Sequence, residues 1–189
     1  IKKLNERDYI IFTFVGRLLI HKGIIEFLNA AEKIIKLNTN KNIYFNIIGD
    51  IDNLNVTSIR KKLISKYKKN TKINFLGHRE NVDEYISRSD CIVLPSYREG
   101  LPRVILESLL LERPVITTNV PGCNRIIKNN FNGILCKPRS YLSLKEAMNK
   151  FINLPKNKIK KMGINGRKFV ENEFNENKVI NTYFKIMKK

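Results

Sequence analysis

The stretch Tyr9-Ile10-Ile11-Phe12-Thr13-Phe14-Val15, then Gly16-Arg17-Leu18-Leu19-Ile20-His21-Lys22-Gly23, then Ile24–Leu37, decides the fold. The first run is apolar, β-branched and aromatic without alternation, the pattern of a strand buried on both faces. In the third run Ile24, Phe27, Leu28, Ala31, Ile34 and Leu37 recur at three- and four-residue spacing and make one apolar helix face. Between them Gly16 and Gly23 bracket a short loop. The unit reads strand, loop, helix.

The same unit recurs outward from there. Residues 43–48 form a second strand run, ended by Gly49-Asp50. Residues 56–67 predict a helix with Ile59, Leu63, Ile64 and Tyr67 inward and a basic outer face. Residues 73–76 are a short strand ending at Gly77. Asn81 is placed to cap a short helix, with Asp83 and Glu84 suited to its first turn. Cys91–Leu94 is a buried strand, 95–101 a loop, and Pro102 opens a helix running to Leu111. Val115–Thr118 and Gly133–Cys136 are further strands, with a turn at Pro121-Gly122 between them. Helices at 141–154, 158–173 and 176–188 complete the chain, broken at Pro155 and Asn175. Strand runs alternating with helices predict an α/β fold, a doubly wound parallel Rossmann-like sheet. Right-handed crossovers put the strand-to-helix loops on one edge, where ligands bind in such sheets.

The chain has 189 residues, enough for one domain with an extension, and its 42% apolar content supports a core. It opens without an initiator Met and enters a strand almost at once, which implies a piece of a longer chain. The expected organisation is a Rossmann-like domain over 1–174 and a C-terminal helical extension over 175–189. Lys and Arg number 36 against 17 Asp and Glu, a net charge of +19. Such a surface favours anionic partners: nucleic acid, acidic lipid headgroups or phosphorylated small molecules. A chain rich in Lys, Asn and Ile throughout would carry the same excess without any partner. Cys91, Cys123 and Cys136 are far apart and match no metal-ligand spacing, and with only His21 and His78 available a structural zinc site is not expected. Cys91 and Cys136 sit in apolar runs, as reduced core thiols do. The apolar runs are strand-length, far short of the roughly 20 residues that span a bilayer.

The polar groups that could do chemistry fall on the expected ligand edge. Arg17 offers a planar fork for phosphate oxygens and Lys22 a compact charge, both beside a helix N-terminus. Two solvated basic side chains in a loop would look the same. Glu99 and Glu107 stand eight residues apart, one in a loop and one on the following helix, so both can face one ligand. Carboxylates accept from sugar and ribose hydroxyls. Equally, Glu107 could pair with Arg103 at i,i+4 and Glu99 could lie on the surface. Gly77-His78-Arg79 could lie against a base or ribose, or be an ordinary turn.

Taken in order, these elements resemble the C-terminal domain of GT-B glycosyltransferases, in particular the large family 4 of retaining transferases (glycosyl transferases group 1). Gly16-Arg17 with Lys22-Gly23 is similar to the family's G-R-x(4)-K-G diphosphate element. Glu99-Gly100-Leu101-Pro102 with Glu107 is similar to its E-x(7)-E motif, and Gly77 with Val82 to its F-x-G-x(4)-V loop. Pro95-Ser96, Pro114 to Thr118, Gly122 and Asn132-Gly133 also fall where the family has them. The resemblance covers about residues 10 to 185.

It implies a catalytic set of Arg17, Lys22 and Glu99. The implied donor-binding set is Gly16, Arg17, Lys22, Gly77, His78, Arg79, Glu99, Gly100, Leu101, Pro102, Arg103 and Glu107. Arg17 and Lys22 would hold the donor diphosphate, Glu99 with the Gly100 and Leu101 amides the transferred sugar, Glu107 the ribose, and 77–79 the base. No metal and no cofactor are expected, the nucleotide-sugar (a UDP-sugar by family habit) being a substrate. An N-terminal acceptor-binding domain would be a partner in cis, and the final helix would cross back toward it. The expected acceptor is a saccharide or lipid-linked glycan in cell-surface polysaccharide synthesis. The expected location is the cytoplasm, with peripheral attachment to an anionic membrane surface and no specific nucleic acid. The competing reading is a basic α/β module that binds nucleic acid or anionic membrane without transferase activity.

Overall fold

The computed structural model describes residues 8–52, 55–59 and 61–174. In chain order the elements are β1 (Tyr9–Val15), a 3₁₀ turn (Ile20–Lys22), α1 (Ile24–Leu37), β2 (Asn42–Ile48), α2 (Lys61–Lys68), β3 (Ile73–Gly77) and α3 (Val82–Arg88). They continue with β4 (Cys91–Leu94), α4 (Arg103–Leu110), β5 (Val115–Thr118), α5 (Pro121–Asn124), β6 (Gly133–Cys136), α6 (Tyr141–Ile152) and α7 (Lys156–Glu173). The strands form one six-stranded sheet in the order β3-β2-β1-β4-β5-β6, and every pairing is parallel. The strand order reverses between β1 and β4, so the crevice beyond their carboxyl ends is the switch point where such sheets bind ligands.

Alternation along β4 explains why its run is wholly apolar. Cys91 and Val93 of β4 join one core cluster, with Phe12, Phe14, Phe27, Phe45 and Phe151, while Ile92 and Leu94 join the other, with Ile105, Leu109 and Val115. Helices cover both faces, so both side-chain rows are buried. On the first face Phe12 stacks on Phe45 at 5.6 Å between ring centroids and meets Phe151 edge-on at 5.6 Å, which locks β1, β2 and α6 together. At the start of β1, Asp90 extends the ladder. Its Oδ2 accepts from the Ile11 amide at 2.7 Å, while its own amide donates to the Ile11 carbonyl at 3.0 Å.

Three local expectations change. The helix expected over 56–67 is confined to Lys61–Lys68 among the described residues. Val56 is 99% exposed and lies with Thr57 in a turn, because local bonds out-compete the helix. The Thr57 amide donates to Asn55 Oδ1 at 2.9 Å, and the Asp52 amide to Ser58 Oγ at 3.0 Å. The Ile20 and Ile59 amides then bond across to the Thr57 and Leu18 carbonyls, tying this turn to the loop after β1. The turn at Pro121-Gly122 is a short helix, α5, with Pro121 at its start. Asn81 is the N-cap of α3, but its side chain makes no capping hydrogen bond. Ser140 does cap α6: its Oγ accepts from the Ser143 amide at 3.2 Å. The helix expected at 176–188, and with it the 175–189 extension, lies outside the described residues.

Candidate active site

Two loops meet at the switch point. The loop after β1 leaves through Gly16, whose carbonyl passes so close to Gly49 that a Cβ there would sit 2.0 Å from it. It ends at Gly23, which has φ +76° and lies against the loop after β4, where a Cβ would come within 2.1 Å of the Pro95 carbonyl oxygen. The second loop, 95–102, is held from several sides. The Tyr97 amide donates to the His21 carbonyl at 2.8 Å, and the Tyr97 hydroxyl donates to Glu26 Oε1 at 2.6 Å. The Thr118 hydroxyl donates to the Ser96 carbonyl. Gly122 of α5 presses on its far side, since a Cβ there would fall 2.2 Å from the Glu99 carbonyl oxygen. Arg139, from the loop after β6, lies over the Tyr97 ring at 4.9 Å. The relative position of the two loops is therefore set by close backbone packing as well as by side chains.

Between them opens a cleft of about 400 Å³ lined by Arg17, His21, Lys22, Arg98, Glu99 and Gly100. Lys22 Nζ donates to Glu99 Oε1 at 2.7 Å, and these side chains are 25% and 10% exposed. Arg17 stands at the mouth, its guanidinium 3.1 Å from Asp52 Oδ2. His21 Nδ1 is 3.5 Å from the Thr57 hydroxyl. Burial first, then the charges of Lys22, Arg98 and Arg17, hold the His21 imidazole below its ordinary pKa, against an opposing pull from Glu99. The cleft carries an excess of cations over carboxylates, with strand ends and loop amides around it.

The expected site residues divide accordingly. Arg17, Lys22, Glu99 and Gly100 converge on the cleft, although the loops that carry them are far apart in sequence. Leu101, Pro102 and Arg103 continue the same loop into the start of α4 without lining it. Glu107 stays on α4, 3.7 Å from Arg103 with that pair 46% and 89% exposed, so the i,i+4 contact is realised in a loose form. Gly77 has φ +71° and accepts at its carbonyl from the Gly49 amide at 2.9 Å, while His78 and Arg79 are exposed outside the cleft. The guanidinium of Arg79 lies 5.9 Å from the Tyr85 ring centre. His21 and Arg98 line the cleft without having been singled out. Their signal was position: each neighbours an assigned residue on a loop leaving a strand's carboxyl end. Among the described residues no cluster of three or more His, Cys, Asp or Glu side chains is arranged to hold a metal ion, and no helix is long and apolar enough to cross a membrane.

Comparison with known proteins agrees with this architecture. The profile of the family described as "Glycosyl transferases group 1" matches residues 1–169. The chain is 35% identical over 130 residues to the UDP-Gal:alpha-D-GlcNAc-diphosphoundecaprenol alpha-1,3-galactosyltransferase of Escherichia coli, covering 69% of this chain and 33% of that protein. It is 30% identical over 173 residues to the capsular polysaccharide biosynthesis glycosyltransferase CapM of Staphylococcus aureus, covering 92% of this chain and 44% of that protein. The chain thus spans less than half the length of these relatives. In fold it is similar to the C-terminal domain of a glycosyl transferase group 1 family protein (LpcC) from Francisella tularensis, with TM-score 0.77, 23% identity, and 87% and 86% of the two chains covered. It is also similar to Anabaena Alr3699/HepE in complex with UDP-glucose, with TM-score 0.80, 19% identity, and 96% and 49% covered. A parallel sheet with its cleft at the switch point, together with a family profile over most of the chain, leads to one assignment: this chain belongs to the glycosyl transferases group 1 family and has the Rossmann-like α/β fold of a GT-B half.

Proposed function

We propose that this chain is the donor half of a retaining glycosyltransferase and binds a nucleotide-sugar, a UDP-sugar by preference, at the Lys22–Glu99 cleft. The observation that carries the reading is the convergence of Arg17, Lys22, Arg98 and Glu99 on one open cleft at the carboxyl ends of β1 and β4. Arg17 and Lys22 hold the diphosphate, with Gly16 allowing its close approach. Glu99 and the Gly100 and Leu101 amides accept and donate to the sugar. Pro102 and Arg103 start the helix that aims those amides, Glu107 binds the ribose, and Gly77, His78 and Arg79 face the base. Support comes from the E. coli relative, whose name includes a UDP-galactose donor, and from HepE, whose structure holds UDP-glucose. The family match favours this reading over a basic nucleic-acid-binding module.

In the reaction, the bond between the sugar's anomeric carbon and the diphosphate oxygen breaks, and its electron pair leaves with the diphosphate. An acceptor hydroxyl bonds to that carbon, and its proton ends on the departing phosphate. Negative charge grows on the leaving oxygens, where fixed cations stabilise it more than they stabilise the ground state. Lys22 and Arg17 supply that charge in the proposed mechanism, with no metal or cofactor. The acceptor site belongs to an N-terminal domain in cis.

Calorimetry of the chain with UDP, UDP-glucose, GDP and ADP tests this reading. Binding of a uridine nucleotide that is weakened, and still measurable, in Arg17→Ala and Lys22→Ala is expected. A folded chain that binds none of these nucleotides would sink it.

The basic surface supports a second, compatible reading, peripheral attachment to the cytoplasmic face of an anionic membrane. Net charge is +19, exposed Lys156, Lys158, Lys160 and Lys161 lie along the start of α7, and the E. coli relative's name includes a diphosphoundecaprenol-linked substrate. Cosedimentation with phosphatidylglycerol vesicles but not phosphatidylcholine vesicles, lost at high salt, is expected. Equal binding to both lipids contradicts it.

A further inference from the structure

The principal cation of the cleft has an anion as its partner. Lys22 and Glu99 stand 2.7 Å apart, and the exposures of their side chains, 25% and 10%, leave the pair only partly screened by water. Arg17, farther out, is similarly paired with Asp52 at 3.1 Å, but that guanidinium is mostly exposed and its pairing correspondingly weak. The backbone that carries Glu99 is buttressed and anchored. Gly122 packs against the Glu99 carbonyl on one side, and the Tyr97 bonds to His21 and Glu26 anchor the same loop two residues earlier.

A carboxylate and a phosphate oxygen are the same kind of partner for an ammonium group: charged acceptors of short, charge-assisted hydrogen bonds. A free nucleoside diphosphate brings anionic oxygens to Lys22 but offers Glu99 nothing in exchange. A nucleotide-sugar brings the same oxygens together with hydroxyl donors that the carboxylate can accept from. We infer that Glu99 is an internal competitor for Lys22, a specificity-determining residue that disfavours the free nucleoside diphosphate relative to the nucleotide-sugar. The inference rests on the reading that Lys22 binds the donor diphosphate. When the sugar has left, Glu99 regains Lys22 as its partner, and that pairing weakens the hold on the spent nucleotide. The competition costs the donor little, because the hydroxyls of the sugar offset what the carboxylate gives up.

The test is calorimetric titration of the chain with UDP and with UDP-glucose, at one ionic strength, for wild type and Glu99→Gln. Glu99→Gln keeps the shape and removes the charge. It is expected to bind UDP about fivefold more tightly than wild type, the release of an ion pair of about 1 kcal/mol, and to bind UDP-glucose no more tightly. Glu171→Gln removes a charge from the exposed pair with Arg167 on α7 and controls for net charge, so it is expected to change neither affinity. In a Lys22→Met background the gain from Glu99→Gln is expected to disappear. A folding defect weakens both ligands, so it cannot imitate tighter UDP binding. The inference is overturned if Glu99→Gln binds UDP no more tightly than a wild type that does bind it. It is equally overturned if the gain survives at full size in Lys22→Met. A wild type that binds neither ligand removes the donor-site reading itself, an outcome distinct from the other two.

Discussion

The Tyr97 hydroxyl donates to Glu26 Oε1 at 2.6 Å, joining the loop before Glu99 to the first turn of α1, directly after Lys22 and Gly23. Because the Tyr97 amide also bonds the His21 carbonyl, one residue fastens the acidic loop both to the basic loop and to the helix that follows it. Burial, with Glu26 beside it, pushes the Tyr97 phenol above its ordinary range, so it stays protonated and able to donate.

Tyr97→Phe should therefore separate two effects. Glu26 Oε2 is buried without a hydrogen bond among the described residues, so losing the hydroxyl leaves both carboxylate oxygens without that donor. A stability loss of about 1–3 kcal/mol in urea unfolding is expected. A several-fold drop in UDP affinity should accompany it if the tie positions the two loops. Unchanged affinity in a destabilised but folded variant would show that the tie serves folding alone.

Gly122→Ala tests the buttress from α5. Its Cβ would lie 2.2 Å from the Glu99 carbonyl oxygen and 2.4 Å from that of Gly100, so the loop must move. Overpacking of this kind costs about 1–3 kcal/mol, and nucleotide-sugar binding should fall with the displaced Glu99. Gly100→Ala is the contrast, because a Cβ there meets nothing within 4 Å. Its stability should stay within about 0.5 kcal/mol of wild type. Equal destabilisation by both variants would refute the buttress.

His21 should link donor binding to proton uptake. Its pKa is lowered by burial and by Lys22, Arg98 and Arg17. A diphosphate would offset those cations and raise the pKa again, so binding near pH 6 should draw a proton onto the ring. UDP affinity should then rise as pH falls from about 7 toward about 6, near the unperturbed histidine value of about 6.5. Calorimetry in buffers of different ionisation enthalpy reads the proton count directly. His21→Gln should bring the count down to that of the nucleotide's own phosphate, and an unaltered count in that variant excludes the linkage. The free chain has the opposite dependence. Since the folded pKa lies below the unfolded one, the His21 contribution to stability is present above about pH 6.5 and is lost as pH falls through the folded value.

The buried thiols predict alkaline weakening. Burial pushes Cys91 and Cys123 up and Cys136 up to about 12. Above about pH 8.5 the unfolded chain ionises its thiols more readily than the folded chain, so the unfolded state is favoured. Cys136 should remove about 1.4 kcal/mol of stability per pH unit in that range. Urea titrations at pH 8 and pH 10 should show a smaller difference in Cys136→Ala than in wild type. An identical difference would mean that this thiol ionises as readily when folded.

Much of this was legible in the sequence, and the reason is local. A strand covered by helices on both faces is apolar at nearly every position, and Tyr9–Val15, with Thr13 as its one buried polar residue, and Cys91–Leu94 say so without reference to anything else in the chain. A helix lying on that sheet must repeat its apolar residues every three or four positions, as Ile24–Leu37 does. Once the fold is α/β, the rule that ligands meet the carboxyl ends of parallel strands selects the loops holding Arg17, Lys22 and Glu99. The helix expected over 56–67 is shorter because the amides of Thr57, Ser58 and Ile59 bond to Asn55 and to Leu18 of the neighbouring loop, partners that apolar periodicity does not register.

The sequence by itself thus determined the strands, most of the helices and the loops that leave the carboxyl ends of β1 and β4. Only the tertiary structure decided that Lys22 meets Glu99 across 77 residues, that Gly122 presses on the Glu99 carbonyl, and that His21 and Arg98 share their cleft while His78 and Arg79 do not. Burial leaves its imprint on neighbouring residues. A meeting of distant loops depends instead on β1 lying beside β4 in the sheet, and that order is fixed by the packing of the whole chain.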